Sequence, residues 1–454
     1  MATEVLFLGN SPKGILKDLA KEIGVTLFDV KLCQILDKND KLGYLKNEFC
    51  IPKLEPKCSK YGRDSWIDFA SNGVGRQPKK TKEMVLEMLD EWQNHTWLTT
   101  PTTKLLGYDN SLLEGIGRMV GAYSDEVALM NSLTVNLNFL LISFYNPTKQ
   151  RFKIILEQDA FPTVFYACES HILQRGFKPE DCLVYVKPHP DSKLLDTSDI
   201  LNVIEEEGDS VVLVLLCGIQ YLTGQLLDMR GITAAAHAKG CKVGYDLAHA
   251  IGNVELHLHD WNVDFAVWAN YKFMNSCVGA TGGAFMHKKH KNNKFPKLLG
   301  WWGHSEKTRF DFNSDHDFSV GIKGYHNSIP SAVSLACIAA SLEIFGKTNM
   351  RDFRKKSILL NCYLESLLEP NLKKYGINII TPSNYQQRGC QLSITFTQYD
   401  ADKVVAGLVS HGVLCIVSLG ILRLSPNPLH TSFMDVFRFV QLLLQILDDL
   451  TETK

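Results

Sequence analysis

The 454 residues carry 48 Lys and Arg against 49 Asp and Glu, a formal net charge of -1, and 45% of them are hydrophobic. This balance gives no basic footprint for nucleic acid or an anionic membrane surface, and it excludes a disordered chain. The length calls for a large domain with a smaller companion, and no leader or bilayer-length apolar run is visible, so a cytoplasmic protein is expected.

The first 60 or so residues are mixed and lysine-rich, without a motif. Val85, Met88, Leu89 and Trp92 then recur at helical spacing after Lys82 and predict an amphipathic helix. The Thr-rich stretch from Thr99 to Thr103, with Pro101 inside it, reads as a loop. A second helix is expected over Leu112–Val120, with Gly121 near its C-terminal end.

From about residue 126 to 290, short β-prone runs alternate with helical stretches. The runs are Phe152–Leu156, Leu183–Val186, Val211–Leu216, Val243–Tyr245 and Phe265–Trp268; Ser198–Glu207 and Ile232–Ala238 read as helices between them. Alternation of this kind predicts an α/β fold with a mainly parallel sheet, which places a ligand at the C-terminal strand ends. After Pro330 the pattern is helical over Ser331–Phe345, closed by Gly346. Strand Gln391–Phe396, helix Ala401–Ser410 ended by Gly412, a further strand and a helix over Phe433–Leu450 follow, the last opened by a Ser432/Asp435 capping-box variant. The expected organisation is an N-terminal segment over 1–95 packing with the small domain, a large domain over 96–325 and a small C-terminal α+β domain over 326–454.

Twelve cysteines are scattered without a Cys-x-x-Cys pair, and Cys168, Cys217, Cys337 and Cys362 sit in apolar surroundings, the pattern of reduced, buried thiols. The His257-Leu-His259 pair reads as structural, and no metal site is expected.

Four features fall at the expected strand ends: Asp246 closing Lys242-Val-Gly-Tyr-Asp, Tyr271-Lys272 after Phe265–Trp268, Ser132-Leu133-Thr134 opening an apolar helix, and Phe161-Pro162-Thr163. Singly, each reads more simply as a solvated strand boundary, a helix cap or a packed turn. Together they match the needs of pyridoxal phosphate. Lys272 offers an amine for a Schiff base, and Asp246 a carboxylate for the pyridine nitrogen. Helix N–H groups and a hydroxyl at 132–134 suit a phosphate, and Phe161 offers a ring face. No Gly-x-Gly-x-x-Gly follows a first strand, which disfavours nicotinamide or flavin.

The stretches MNSLTVN, VGYDLAHAIGNVELHLHDWNVDFAVWANYKFMN, GWWGH, RGCQL and RLSPNPL resemble kynureninases, from about Gln77 to the C-terminus. The resemblance implies the aspartate-aminotransferase type of fold and cleavage of the Cβ–Cγ bond of L-kynurenine or 3-hydroxykynurenine, in tryptophan catabolism and NAD biosynthesis. It implies Lys272, Tyr271 and Asp246 as catalytic residues, Lys272 carrying the cofactor and Tyr271 serving proton transfer. Leu133, Thr134, Phe161, Pro162, Thr163 and His249 would hold the cofactor, with Trp301 reaching in from the other subunit of a homodimer, and Arg423 would take the carboxylate of a small amino-acid substrate. The chain departs from the family pattern at Val164, where an Asp is usual, at Cys217, and at Ile329, where an Asn is usual. A weakened or inactive cofactor-binding homologue acting as a dimeric regulatory partner is therefore the alternative. A cysteine desulfurase would need an accessible nucleophilic thiol, whereas candidates such as Cys415 lie in apolar runs.

Overall fold

The computed structural model describes residues 11–55, 63–94, 105–312 and 316–452; the Thr-rich stretch expected as a loop lies outside them. The chain divides into two units, one formed by 1–80, 221–226 and 343–454, the other by 81–220 and 227–342.

In the first unit, helices α1 (Pro12–Glu22) and α2 (Val30–Lys38) begin at Ser11 and Asp29, whose side chains accept the N–H groups of Gly14 and Lys31. Neither helix was foreseen from the sequence. Both present a short apolar face, Leu16 and Ala20 on one and Leu32 and Leu36 on the other, to a core shared with Phe69, Leu424 and Phe439. Strand β1 (Ile67–Asp68) follows.

The second unit opens with α3 (Thr81–Asn94) and α4 (Tyr108–Val120), the latter closed by Gly121 in the left-handed region at φ 63°. Around its sheet run β2 (Val127–Leu129), α5 (Leu133–Phe144), β3 (Lys153–Glu157), α6 (Pro162–Gln174), the single turn α7 (Pro179–Cys182), β4 (Leu183–Val186) and α8 (Thr197–Glu207). They continue as β5 (Val211–Cys217), α9 (Met229–Ala238), β6 (Lys242–Asp246), β7 (Phe265–Trp268) and β8 (Gly283–Met286), and α10 spans Ala332–Gly346. The seven strands lie in the order β2-β8-β7-β6-β5-β3-β4. β7 to β4 are parallel to one another, while β8 is antiparallel to both its neighbours. Helices cover the parallel strands, so β5 and β7 read as continuous apolar runs rather than alternating ones.

The helix expected after Lys82 is formed as α3, and of its side chains only Thr81 and Met88 are buried, while Leu89 and Trp92 of its apolar stripe are 39% and 71% exposed. Gly346, expected to close the helix after Pro330, is the last residue of α10.

The first unit resumes with α11 (Met350–Leu368), the short α12 (Leu372–Tyr375), β9 (Ile377–Ile379), β10 (Leu392–Phe396), α13 (Ala401–Ser410), β11 (Val413–Leu414), β12 (Ile416–Ser418), β13 (Ile421–Leu424) and α14 (Phe433–Glu452). β1 pairs with β11, and the remaining four form an antiparallel sheet in the order β12-β13-β10-β9. The capping box on α14 is formed: Ser432 N–H donates to Asp435 (2.9 Å) and Asp435 N–H to the Ser432 hydroxyl (3.1 Å).

Candidate active site

Parallel pairing aligns the C-terminal ends of β5, β6 and β7, with Cys217 opposite Asp246 and Asp246 opposite Val267. Asp246, buried at the end of β6, accepts the Ala248 N–H at 2.8 Å. Burial pushes its carboxyl up, and that hydrogen bond and the charge of Lys272 pull it back.

Lys272 follows β7 in a tight turn, where the Asn275 N–H donates to the Lys272 carbonyl at 2.9 Å. Its Nζ stands 3.0 Å from His249 Nε2 and 5.6 Å from the centroid of the Phe161 ring. Tyr271 is half-buried, and burial raises its hydroxyl's pKa.

The N-terminus of α5 comes down on the end of β7. A Cβ at Gly282 would fall 2.9 Å from the Leu133 nitrogen and 3.0 Å from the Trp268 oxygen, so glycine is needed for this approach. Ser132 caps α5 by accepting the Val135 N–H, and the Thr134 hydroxyl donates to that of Thr163 at 3.4 Å, joining the first turns of α5 and α6. Phe161 is the N-cap of α6 with Pro162 at its first position, and its ring is 46% exposed.

The fold thus brings Lys272, His249 and Phe161 together, aligns the end of β6, with Asp246, beside β7, which leads to Lys272, and places Thr134 against Thr163. These groups fit pyridoxal phosphate. An amine stands near a buried carboxylate, a ring face is open to a second ring, and two helix N-termini with hydroxyls offer N–H groups free of intrahelical partners.

Trp301 and Arg423 have partners of their own. Trp301 is 43% exposed, its indole N–H donates to the Arg309 carbonyl at 3.0 Å, and it packs edge-on against Phe310. Arg423, on β13 of the first unit, donates to the Tyr221 carbonyl (3.1 Å) and the Ser418 hydroxyl (3.0 Å). Its Nε is buried with no hydrogen-bond partner among the described residues, a donor suited to an anion.

Of the histidine pair noted in the sequence, His259 has its Nδ1 2.9 Å from Glu126 with His287 stacked on it at 4.7 Å, and His257 packs edge-on against Trp261. Glu126, His259 and His287 are close enough to share a cation, but His287 Nδ1 already accepts the Lys289 N–H at 3.0 Å.

One titratable group at the strand ends escaped the sequence reading. Glu157 closes β3, and its side chain is buried, which pushes its carboxyl up to about 7. The signal was available: Lys153-Ile-Ile-Leu-Glu157 has the same form as Lys242-Val-Gly-Tyr-Asp246.

Residues 353–443 match the family described as kynureninase C-terminal domain, and residues 141–339 match the DegT/DnrJ/EryC1/StrS aminotransferase family. The chain is 42% identical to the kynureninase of Rattus norvegicus, covering 96% of this chain and 97% of that one. It is 41% identical to the kynureninase of Homo sapiens, covering 98% of each. Among solved structures, a cysteine desulfurase from Thermococcus onnurineus superposes with a TM-score of 0.71 at 15% identity, covering 85% of this chain and 95% of that one. The cysteine desulfurase CsdA from Escherichia coli gives 0.70 at 16%, covering 90% and 98%. At these identities the likeness shows a shared fold alone, the aspartate-aminotransferase type.

Proposed function

The chain belongs to the kynureninase family, and we propose on that premise the division of labour among its residues set out here. It is a pyridoxal-phosphate-dependent hydrolase that splits the Cβ–Cγ bond of L-kynurenine or 3-hydroxykynurenine, giving L-alanine and anthranilate or 3-hydroxyanthranilate. The observation that carries the residue assignment is the alignment of β6 with β7, which sets a buried carboxylate, Asp246, at one strand end and Lys272 in the turn that follows its neighbour.

When bound, pyridoxal phosphate supplies an aldehyde that condenses with amines and a ring that accepts the electron pair released at a substrate carbon. Lys272 holds the cofactor through its amine and then moves the proton at the substrate Cα. His249, hydrogen-bonded to Lys272 Nζ, fixes where that amine sits. Asp246 keeps a proton on the ring nitrogen, a task suited to a carboxylate buried beside a cation. Leu133, Thr134 and Thr163 bind the phosphate at the N-termini of α5 and α6, and Phe161 with Pro162 packs against the ring. The Tyr271 hydroxyl, its pKa raised by burial, keeps its proton at neutral pH and can deliver it during Cβ–Cγ cleavage. Arg423 takes the substrate carboxylate with its planar fork. The Cys415 thiol, pushed up to about 12 by burial, is unsuited to the nucleophilic role a desulfurase requires.

The working form is a homodimer in the cytoplasm, with Trp301 of one copy completing the site of the other. An apolar hollow of about 380 Å³, lined by Met88, Trp92, Trp301, Trp302, Ile329 and Val333, supports this, because a surface of that character is normally covered. Among the described residues, no helix is long and apolar enough to cross a membrane.

Incubating the cofactor-loaded protein with L-kynurenine tests the reaction. Equimolar L-alanine and anthranilate are expected; absence of both, with the 3-hydroxy substrate equally inert, overturns it.

A further inference from the structure

A cavity of about 190 Å³ in the second unit is lined by Asp109, Trp302, Glu306, Arg309, Lys323 and His326 among others, and by none of the residues assigned to the cofactor. Arg309 is 9% exposed. Its Nη2 donates to the carbonyls of Trp302 (2.8 Å) and His304 (3.0 Å), and its guanidinium lies 4.0 Å from the centroid of the Trp302 ring. Its Nε has no hydrogen-bond partner among the described residues. Asp109, in the first turn of α4, is 7% exposed. Among the described residues no carboxylate lies within ion-pair distance of Arg309 and no cation within that distance of Asp109, and the two do not pair with each other. The other charges of the cavity are matched: Lys323 Nζ stands 2.8 Å from Asn110 Oδ1 and 3.3 Å from Glu306 Oε1, and Asn110 Nδ2 donates to the same Glu306 oxygen at 3.1 Å. His326, held down at about 4 by burial and by the charges of Arg309 and Lys323, stays neutral, and its Nδ1 has no partner among the described residues.

Burying an ion is costly unless a counter-ion and hydrogen bonds compensate it. This cavity holds one uncompensated ion of each sign. A simple anion would satisfy Arg309 but meet repulsion from Asp109 and Glu306, and a simple cation would satisfy Asp109 but meet repulsion from Arg309 and Lys323. A molecule that carries both charges satisfies both walls at once. We propose that the cavity binds a small α-amino acid as its zwitterion, the carboxylate against Arg309 and His326 and the ammonium against Asp109. Arginine suits the first task because its planar fork matches a carboxylate. Leu106, Trp302 and Phe310 supply the apolar wall for a short side chain.

The test is a calorimetric titration of the full-length, cofactor-loaded protein with L-alanine, with visible spectra recorded in parallel. Binding at the cofactor changes the spectrum, and binding in the cavity does not. Acetate and methylammonium serve as probes that carry one charge each. The wild type is expected to bind one L-alanine per chain without a spectral change, and to bind acetate and methylammonium at least about tenfold more weakly. Asp109→Asn, which keeps the size of the side chain, and Arg309→Gln should each weaken this silent binding roughly 10–100-fold, the effect of losing one charge-assisted hydrogen bond. Any spectral response to L-alanine should persist in both. Asp109→Asn carries the test if Arg309→Gln, which also loses the Trp302 and His304 contacts, does not fold. No silent binding in the wild type, binding undiminished in Asp109→Asn, or acetate bound as tightly as L-alanine would overturn the proposal. Anthranilate formation is measured separately, and its absence would refute the assigned reaction while leaving this site standing.

Discussion

Lys272 Nζ stands 3.0 Å from His249 Nε2, so the amine proposed to carry the cofactor is held by a ring from the loop that follows β6. With Lys272 as an ammonium, Nε2 must accept and the ring carries its own proton on Nδ1. Replacing His249 by Ala removes this acceptor. Turnover should fall about tenfold, the effect of one hydrogen bond of roughly 1–1.5 kcal/mol. Circular dichroism checks that the fold persists.

Arg423 should separate binding from chemistry. Arg423→Lys keeps the charge but loses the planar fork, along with the contacts to Tyr221 and Ser418. KM for L-kynurenine is expected to rise roughly 10–100-fold, as for loss of a charge-assisted hydrogen bond, with a smaller change in kcat. A kcat that falls as far as kcat/KM would assign Arg423 to the transition state instead.

The α14 cap predicts a loss of stability without loss of chemistry. Ser432→Ala leaves the Asp435 N–H without its hydroxyl acceptor and should cost about 1 kcal/mol, a drop of about 2–4 °C in thermal midpoint. Turnover measured well below that midpoint should match the wild type.

Asp264 sets the acid limit of stability. Burial opposes its charge, but hydrogen bonds with His237 (2.8 Å) and His290 (2.6 Å) and the charge of Lys289 outweigh burial and hold the carboxyl well below its ordinary value of 3.8. Its contribution to stability is thus complete above about pH 4 and fades as pH falls through and below that value. Thermal midpoints of Asp264→Asn should lie lower at neutral pH, by a loss on the order of 3 kcal/mol. They should also decline less steeply in acid than those of the wild type. Parallel acid limbs would contradict this.

How far the chain could be read depends on how local its signals are. Phe265–Trp268 was located to the residue because a strand buried on both faces must be apolar throughout, and Leu183–Val186, a partly buried edge strand, was located from its β-prone run. The Ser432/Asp435 box was legible because capping needs particular side chains at a fixed spacing. α1 and α2 were not, since two or three apolar residues each suffice when the core that receives them comes from the other end of the chain. The stripe on α3 was legible as helical, but spacing reports which face is apolar and not what covers it, and of the stripe only Met88 is buried. At the candidate site, Asp246 and Lys272 were visible from their strand ends, whereas Glu157 was not, because an acid after an apolar run is usually a boundary residue.

The most direct test of the account is a titration in one cuvette: purified full-length protein, then pyridoxal phosphate, then L-kynurenine, beside Lys272→Ala. The account predicts a visible absorption on adding the cofactor that Lys272→Ala does not develop. On adding L-kynurenine it predicts anthranilate in the wild type, with turnover in the variant lower by at least 10²–10⁴-fold, on the order of the loss of a general acid–base group. A wild type that binds the cofactor through Lys272 yet releases neither anthranilate nor, from the hydroxylated substrate, 3-hydroxyanthranilate would contradict it.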